Sequence, residues 1–171
     1  RNLAKLSGHP HVVNYKQVDD NDSCVMIVMG LCQRKMETKK NPSPQYTRRC
    51  LLELAKGLEY IHSNSIVHRD LYMDNICVGF DGKLKLVDFG LSTQFKGKGM
   101  TPADESTLTK ARGNPVYRAP ECLKRSVRAD GKVDVWALGL IVVEMLCGWR
   151  IRDCPGKFEG NHPCHNRKMC K

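Results

Sequence analysis

The sequence predicts an α+β fold in which short strands come first and helices dominate the remainder. Two strand-like runs, residues 12–15 and 24–29, lie within the first 30 residues. Two longer segments, residues 43–63 and 134–146, carry apolar residues at helical spacing. With 171 residues and 41% hydrophobic content, the chain has enough apolar material for the core of one ordinary domain.

The first strands are predicted from short apolar runs. Residues 12–15 form a short strand, and the acidic residues 19–23 form a solvated turn. Residues 24–29 are uninterruptedly apolar, which predicts a strand that is buried on both faces. A basic connector, residues 34–40, follows.

The first long helix has a clear start signal. Ser43 is suited to the N-cap and Pro44 to the first helical position. The helix is predicted to end near Ser63. Its buried face is defined by apolar residues at helical spacing, namely Leu51, Leu54, Ala55, Leu58 and Ile61.

Two acids and an amide follow this helix in adjacent loops. Asp70 and Asn75 lie in the stretch 68–75, and an Asp-Gly hairpin turn at residues 81–82 separates them from Asp88. Asp88 ends an alternating strand-like run, residues 83–87. Such a set can hold a divalent cation beside a phosphate-bearing substrate, since hard cations prefer oxygen ligands.

Residues 91–112 are polar and irregular, and a loop of this length in a compact domain is usually functional or disordered. A short helix is predicted from Pro120. The last predicted helix is apolar on most faces, which indicates burial. Its apolar residues are Val135, Trp136, Leu138, Ile141, Val142 and Met145.

The net charge of +10 favours a generally basic domain over a nucleic-acid-binding protein. Its Lys and Arg residues are spread over many segments and lack interleaved aromatic residues.

No apolar run reaches transmembrane length, and the first residues do not resemble a signal peptide. Six cysteines are scattered singly, mostly in apolar surroundings, which predicts a reducing, intracellular and cytoplasmic location.

Residues 149–171 differ from the rest and are predicted to be an irregular tail. Their spacing fits no common pattern of paired zinc ligands, although zinc binding remains an alternative. The potential ligands are Cys154, His162, Cys164, His165 and Cys170.

The order of the motifs makes the chain similar to a eukaryotic protein kinase catalytic domain of the serine/threonine type, over residues 3–148. Each motif alone is weak, but the ordered set is specific. The motifs are Gly8-His9-Pro10, Met29-Gly30-Leu31-Cys32, His68-Arg69-Asp70-Leu71 with Asn75, Asp88-Phe89-Gly90, the stretch 113–121, and the stretch 134–139.

The resemblance implies three parts and an ATP–Mg²⁺ site. Residues 1–32 would be a remnant of the N-lobe and hinge, residues 33–148 the mainly helical C-lobe, and residues 149–171 the tail. Asp70 would accept the proton of a protein substrate's hydroxyl, while Asn75 and Asp88 would bind Mg²⁺. The adenine ring would meet the backbone of Gly30 and Cys32 and lie over Cys77.

Two further roles follow from the resemblance. Arg69 would bind a phosphate on the activation segment, where Ser106, Thr107 and Thr109 are the candidate phosphorylation sites. Asp134 would hydrogen-bond the backbone of the catalytic loop. Regulatory proteins are possible partners.

The chain also departs from the family's pattern. It contains no Gly-rich phosphate loop, no phosphate-binding strand Lys and no last C-lobe helices, so we expect these 171 residues alone to be inactive. Tyr72 stands where serine/threonine kinases usually have Lys, and Asn114 where they usually have Thr. Asp74 hints at basic residues in the substrate. The alternative function is that of a pseudokinase, acting as a protein-interaction or allosteric module.

Overall fold

The computed structural model describes residues 2–21, 24–39, 41–96, 101–102, 113–123, 130–148 and 150–151. These residues form an α+β fold, as predicted. The helices and strands in chain order are α1 (Asn2–Lys5), β1 (Tyr15–Asp20), β2 (Val25–Met29), β3 (Arg34–Lys35), α2 (Pro44–Ser63), β4 (Ile66–Val67), β5 (Ile76–Val78), β6 (Leu84–Leu86), β7 (Thr93–Lys96), β8 (Thr101–Pro102) and α3 (Lys132–Cys147).

The described strands form three small sheets. Strands β1 and β2 make an antiparallel hairpin, β3-β5-β6 make a second sheet, and β4-β7-β8 make a third. The Asp-Gly turn between β5 and β6 forms as predicted, because Gly82 adopts a φ of 71° and donates its N–H to Gly79 O at 2.9 Å. Residues 11–13 join the second sheet through Val13 N, which donates to Leu86 O at 2.9 Å.

The first hairpin differs from the sequence prediction in two ways. Strand β1 starts at Tyr15 and continues through Asp20, because pairing with β2 outweighs the poor strand propensity of Asp. Strand β2 was expected to be buried, and this expectation is wrong. Every residue of β2 is exposed, since among the described residues no layer covers this two-stranded sheet.

Helix α2 begins and ends where its caps predict. Ser43 is the N-cap and its Oγ accepts a hydrogen bond from Tyr46 N at 3.2 Å, with Pro44 as the first helical residue. Leu54, Leu58 and Ile61 are buried as predicted, while Leu51 and Ala55 lie at the half-buried margin of the same face. This amphipathic helix supports the loop that carries Asp70.

Helix α3 is longer than predicted and less completely buried. It ends at Cys147, where Gly148 takes the left-handed conformation with φ 70°. Leu138, Ile141 and Met145 are buried, but Val135 is 51% exposed, so its predicted burial is wrong. The face that carries Val135 is left largely uncovered by the described residues.

None of the described helices has the combination of length and apolar character that spanning a membrane requires.

The main core lies between α2, α3 and the β3-β5-β6 sheet. Leu54, Ile61, Ile76, Leu86 and Ile141 have no exposed side-chain surface there. This packing places the end of β4 beside the start of α3, where His68 N donates to Asp134.

The contribution of this core can be measured by truncating Leu54, which is fully buried in α2. We expect Leu54→Ala to lower the free energy of unfolding by about 2–5 kcal/mol, because it removes apolar burial and leaves a cavity. The matched control is Leu52→Ala on the same helix, where Leu52 is 46% exposed and its truncation should change stability by less than about 1 kcal/mol. Urea unfolding followed by circular dichroism provides the measurement, and equal losses in the two variants would contradict this packing.

Candidate active site

The carboxylate of Asp134 holds the loop that follows β4. Asp134 Oδ2 accepts a hydrogen bond from His68 N at 2.8 Å, and Oδ1 accepts one from Arg69 N at 2.9 Å. Oδ2 also accepts a hydrogen bond from His62 Nε2 at 2.8 Å. Asp134 is buried, so these donors replace the water that the carboxylate loses on folding. The expected bond between Asp134 and this loop is therefore present.

The buried imidazole of His68 connects this loop to the strand that precedes Asp88. His68 Nε2 donates to Val87 O at 2.9 Å, and Val87 N donates to Asn75 O at 3.0 Å. The rings of His68 and Phe89 are in contact, with centroids 4.8 Å apart. The segments that carry Asp88 and Asn75 are thus fixed to each other.

Asp70 is held by two neighbours. Asn75 Nδ2 donates to Asp70 O at 2.8 Å and to Asp70 Oδ2 at 3.2 Å. The backbone N–H of Asn114 donates to Asp70 Oδ1 at 3.0 Å. A carboxylate has about four lone-pair directions, so each oxygen retains capacity for another donor, such as a substrate hydroxyl.

The side chain of Asn114, which stands where the family usually has Thr, bonds to the following turn rather than to Asp70. Only its backbone N–H reaches Asp70, while its Oδ1 accepts a hydrogen bond from Val116 N at 3.1 Å. The side chain caps the short 3₁₀ helix Pro115–Tyr117 because an Asn oxygen is a good partner for unpaired N–H groups at a helix start. The departure from Thr therefore leaves the backbone bond to Asp70 in place.

Asp88 and Asn75 offer oxygen atoms suited to a hard cation. Asn75 is buried and uses Nδ2 toward Asp70, which leaves its Oδ1 as the potential metal ligand. Asp88 is exposed, and its Oδ1 accepts a hydrogen bond from Gly90 N at 3.1 Å. One carboxylate and one amide oxygen fit Mg²⁺, which takes one or two protein ligands and keeps several waters. Within the described part of the chain, no three His, Cys, Asp or Glu side chains converge on one point.

Two residues of the site adopt left-handed backbone conformations. Arg69 has a φ of 68° and Asp88 a φ of 59°, which is unusual for residues other than glycine. Such conformations persist where the surrounding structure enforces them, and they cluster at functional sites. Burial is the main cause that raises the pKa of Cys122, and the positive charges of Arg118 and Arg69 partly offset it.

Of the residues predicted to contact adenine, Gly30 and Cys32 lie between β2 and β3, and Cys77 lies in β5. Gly30 N donates to Asn14 O at 2.7 Å, so its N–H is already bonded within the protein. Cys77 is half-buried in β5. Burial and the neighbouring Cys32 raise the pKa of Cys77 to about 11.

Asp74 has a partner that the sequence did not reveal. Arg150 forms an ion pair with Asp74, and neither side chain is more than one-fifth exposed. Burial, the largest single influence, lowers the pKa of Arg150, but Asp74 and Glu144 together raise it above its ordinary value. A basic residue of a substrate would therefore have to compete with Arg150 for Asp74.

The buried Glu144 accepts hydrogen bonds from Tyr117 Oη and Ile151 N at 2.5 and 2.7 Å.

Several sequence-predicted residues lie outside the described part of the chain. They are the candidate phosphorylation sites Ser106, Thr107 and Thr109, and the potential zinc ligands Cys154, His162, Cys164, His165 and Cys170.

Comparison with known proteins decides the family. The family model described as "Protein kinase domain" matches residues 1–164. The chain belongs to the protein kinase family. Among the kinases similar to it are cyclin-dependent kinase G-1 of Oryza sativa subsp. indica, 37% identical over 81% of this chain, and sperm motility kinase 2B of Mus musculus, 34% identical over 85%. The serine/threonine protein kinase OSK3 of Oryza sativa subsp. indica is 31% identical over 85%. The matched part spans 20–30% of the length of these relatives.

In this kinase the geometry brings Asp70, Asn75 and Asn114 into direct hydrogen-bonding contact, and a backbone bond from Val87 sets Asp88 next to Asn75. His62 and Arg150 were not predicted as part of the kinase site. Neither lies in one of the motifs that carry the resemblance, and their partners, Asp134 and Asp74, are more than 70 residues away in sequence.

The loop contact at Gly113 supplies a test with a matched control. Gly113 has a φ of 87°, and an added Cβ would collide with Arg69 O and lie 3.2 Å from Asp70 Oδ1. We expect Gly113→Ala to lower the free energy of unfolding by about 1–3 kcal/mol, because alanine is strained at this φ. Gly139→Ala, inside α3 and with nothing within 4 Å of the added Cβ, should raise it by about 0.5–1 kcal/mol. Thermal and urea unfolding measure both, and a stabilising Gly113→Ala would refute the contact.

The importance of the Asp134 carboxylate is testable by Asp134→Asn. The amide replaces one acceptor oxygen with a donor, so at least one buried backbone N–H of the loop loses its partner. We expect a loss of about 1–3 kcal/mol in the free energy of unfolding. The control is Asp130→Asn before the same helix, where Asp130 Oδ1 accepts from Lys132 N at an exposed position and Asn can do the same. Comparable losses in the two variants would show that the buried carboxylate has no special role.

Proposed function

We propose that this kinase transfers the γ-phosphoryl group of ATP to serine or threonine hydroxyls of protein substrates. The arrangement around Asp70 carries the proposal, because its carboxylate is oriented by Asn75 and Asn114 and retains room for a substrate hydroxyl. The name of one relative, serine/threonine protein kinase OSK3, supports the choice of acceptor.

The proposed chemistry assigns a separate task to each side chain. Asp70 orients the substrate hydroxyl and accepts its proton as the oxygen attacks phosphorus. Asn75 Oδ1 and the Asp88 carboxylate would hold Mg²⁺, which neutralises charge on the phosphates when it is bound. Gly30 and Cys32 would bind the adenine edge through their backbone groups, and Cys77 would lie beneath the ring.

Arg69 is proposed to bind a phosphorylated residue of the activation segment. The support is its position next to Asp70 and the close approach of its backbone to Gly113, where an added Cβ would collide with Arg69 O. Bidentate Arg–phosphate pairs are strong, so phosphorylation would order the segment against the catalytic loop.

A regulatory protein partner is also proposed, on the basis that one relative is named a cyclin-dependent kinase.

A pseudokinase is the alternative, and Tyr72 is the observation that favours it. Tyr72 occupies the position two residues after Asp70 where serine/threonine kinases usually have Lys. Its ring packs near that of Tyr117, with centroids 5.7 Å apart, so it is part of the packed structure beside the catalytic loop. A phenol does not supply the positive charge that a Lys would bring to the transferred phosphate.

The two functions are separated by assaying the full-length protein for phosphate transfer and for MgATP binding. We expect Asp70→Asn to lower kcat by about 10²–10⁴-fold with little change in MgATP binding, because the base is lost and the metal ligands remain. Asp88→Asn should weaken the Mg²⁺-dependent part of nucleotide binding, because a charged ligand is lost.

Asp81→Asn is the matched control, since Asp81 lies on the exposed turn between β5 and β6. It should retain wild-type transfer and binding. Wild-type protein that binds MgATP without transferring phosphate would support the pseudokinase. Full activity in Asp70→Asn would exclude Asp70 as the base.

A further inference from the structure

The ion pair between Arg150 and Asp74 joins residues that are 76 positions apart in the chain. The Arg150 side chain is 15% exposed and that of Asp74 is 19% exposed. Most of the water that would solvate each charge is therefore absent, so each group depends on its partner more than it would at the surface. In the folded chain the Asp74 carboxylate is thus already bound to a guanidinium group.

The backbone around Arg150 is held in place. Gly148 ends α3 in the left-handed conformation, with φ 70°, and turns the chain away from the helix axis. Ile151 is buried, and its N–H donates to the carboxylate of the buried Glu144 at 2.7 Å. Arg150 therefore reaches Asp74 from a fixed backbone, which reduces the conformational entropy that forming the pair would otherwise cost.

This ion pair lies close to the proposed base. Asp74 directly precedes Asn75, and Asn75 Nδ2 donates to Asp70 O at 2.8 Å, which closes residues 70–75 into a compact loop. An extended peptide advances by about 3.3 Å per residue. A side chain two or three positions from the phosphorylated residue of a substrate would therefore come within reach of Asp74.

We propose that Arg150 is a specificity-determining residue, which occupies the Asp74 carboxylate and makes the kinase indifferent to Arg or Lys beside the phosphorylated residue. The inference rests on the proposed function, because it describes the protein substrates that the site at Asp70 accepts. A free carboxylate beside the base would attract cationic substrates. The internal arginine neutralises this carboxylate and fills the place of a substrate side chain, so it acts against one class of substrate.

Two other ion pairs show what an ordinary surface pair looks like in this protein. Arg49 pairs with Glu53 on α2, and Lys85 pairs with Asp81 at the turn between β5 and β6. Each joins residues four positions apart and includes an exposed side chain, since Arg49 is 58% and Asp81 43% exposed. Arg49 is therefore a suitable control residue for substitutions of Arg150.

The first test asks whether the place of the Arg150 side chain binds a free guanidinium group. The full-length Arg150→Ala variant is heated with argininamide or with the neutral analogue citrullinamide. We expect argininamide, at about tenfold above its dissociation constant, to raise the melting temperature by about 2–5 °C. Citrullinamide should give no rise, because only a cation restores the pair with Asp74. The wild type, Arg49→Ala and the double variant Arg150→Ala/Asp74→Asn should not respond to argininamide.

The second test measures phosphate transfer to pairs of peptides that differ only by Arg or Gln at one position near the acceptor Ser. The wild type should give kcat/KM values that agree within about threefold in each pair. Arg150→Gln should favour the Arg peptide by on the order of 10-fold at one position, because Asp74 becomes free to bind it. Adding Asp74→Asn should remove this preference, and Arg49→Gln should behave like the wild type.

A wild-type preference for Arg peptides that Asp74→Asn abolishes would overturn the proposal, because Asp74 would then be open to substrates. This measurement does not depend on whether an Arg150 variant folds. Equal responses of Arg150→Ala and the wild type to argininamide would overturn it too. Rescue by argininamide in a protein without phosphate transfer would preserve the site at Asp74 and remove the proposed function, and transfer without rescue would do the reverse.

Discussion

The site depends on the buried carboxylate of Asp134. Its two oxygens accept from His68 N and Arg69 N, and His62 donates to it as well. Arg69 has a left-handed backbone that few non-glycine residues adopt, so the loop needs external bonds to keep this shape. Asp134 provides these bonds from the first turn of α3. Because His62 belongs to α2 and also bonds to Asp134, the loop is connected to both long helices.

Once the loop is held, backbone bonds transmit its position to the other half of the site. His68 Nε2 donates to Val87 O, and Val87 N donates to Asn75 O. Asp88 follows Val87 directly. Its position is therefore fixed both by the β3-β5-β6 sheet, which ends beside Val87, and by the loop that carries His68. The proposed metal ligands and the proposed base are therefore fixed relative to one another, which is what catalysis by positioning requires.

The sequence correctly predicted those features whose hydrogen bonds join residues close together in the chain. The Ser43 cap and the Asp-Gly turn formed as expected, because their bonds join residues only a few positions apart. The burial of β2 was predicted wrongly, since burial depends on which other segments cover a strand. For the site, the resemblance supplied Asp134 and its role. The contacts of His62 and Arg150 depend on long-range packing, which residue spacing does not encode.

The structure separates the two departures from the family's pattern near Asp70. Asn114 reaches Asp70 through its backbone N–H and uses its side chain to accept from Val116 N, so the Thr-to-Asn change removes no hydrogen bond from the backbone to the base. Tyr72 is different, because the missing element is a cationic side chain and no backbone group can replace a charge. Its ring is instead packed near Tyr117, whose hydroxyl donates to the buried Glu144. Of the two departures, Tyr72 is therefore the one on which the choice between an active kinase and a pseudokinase depends.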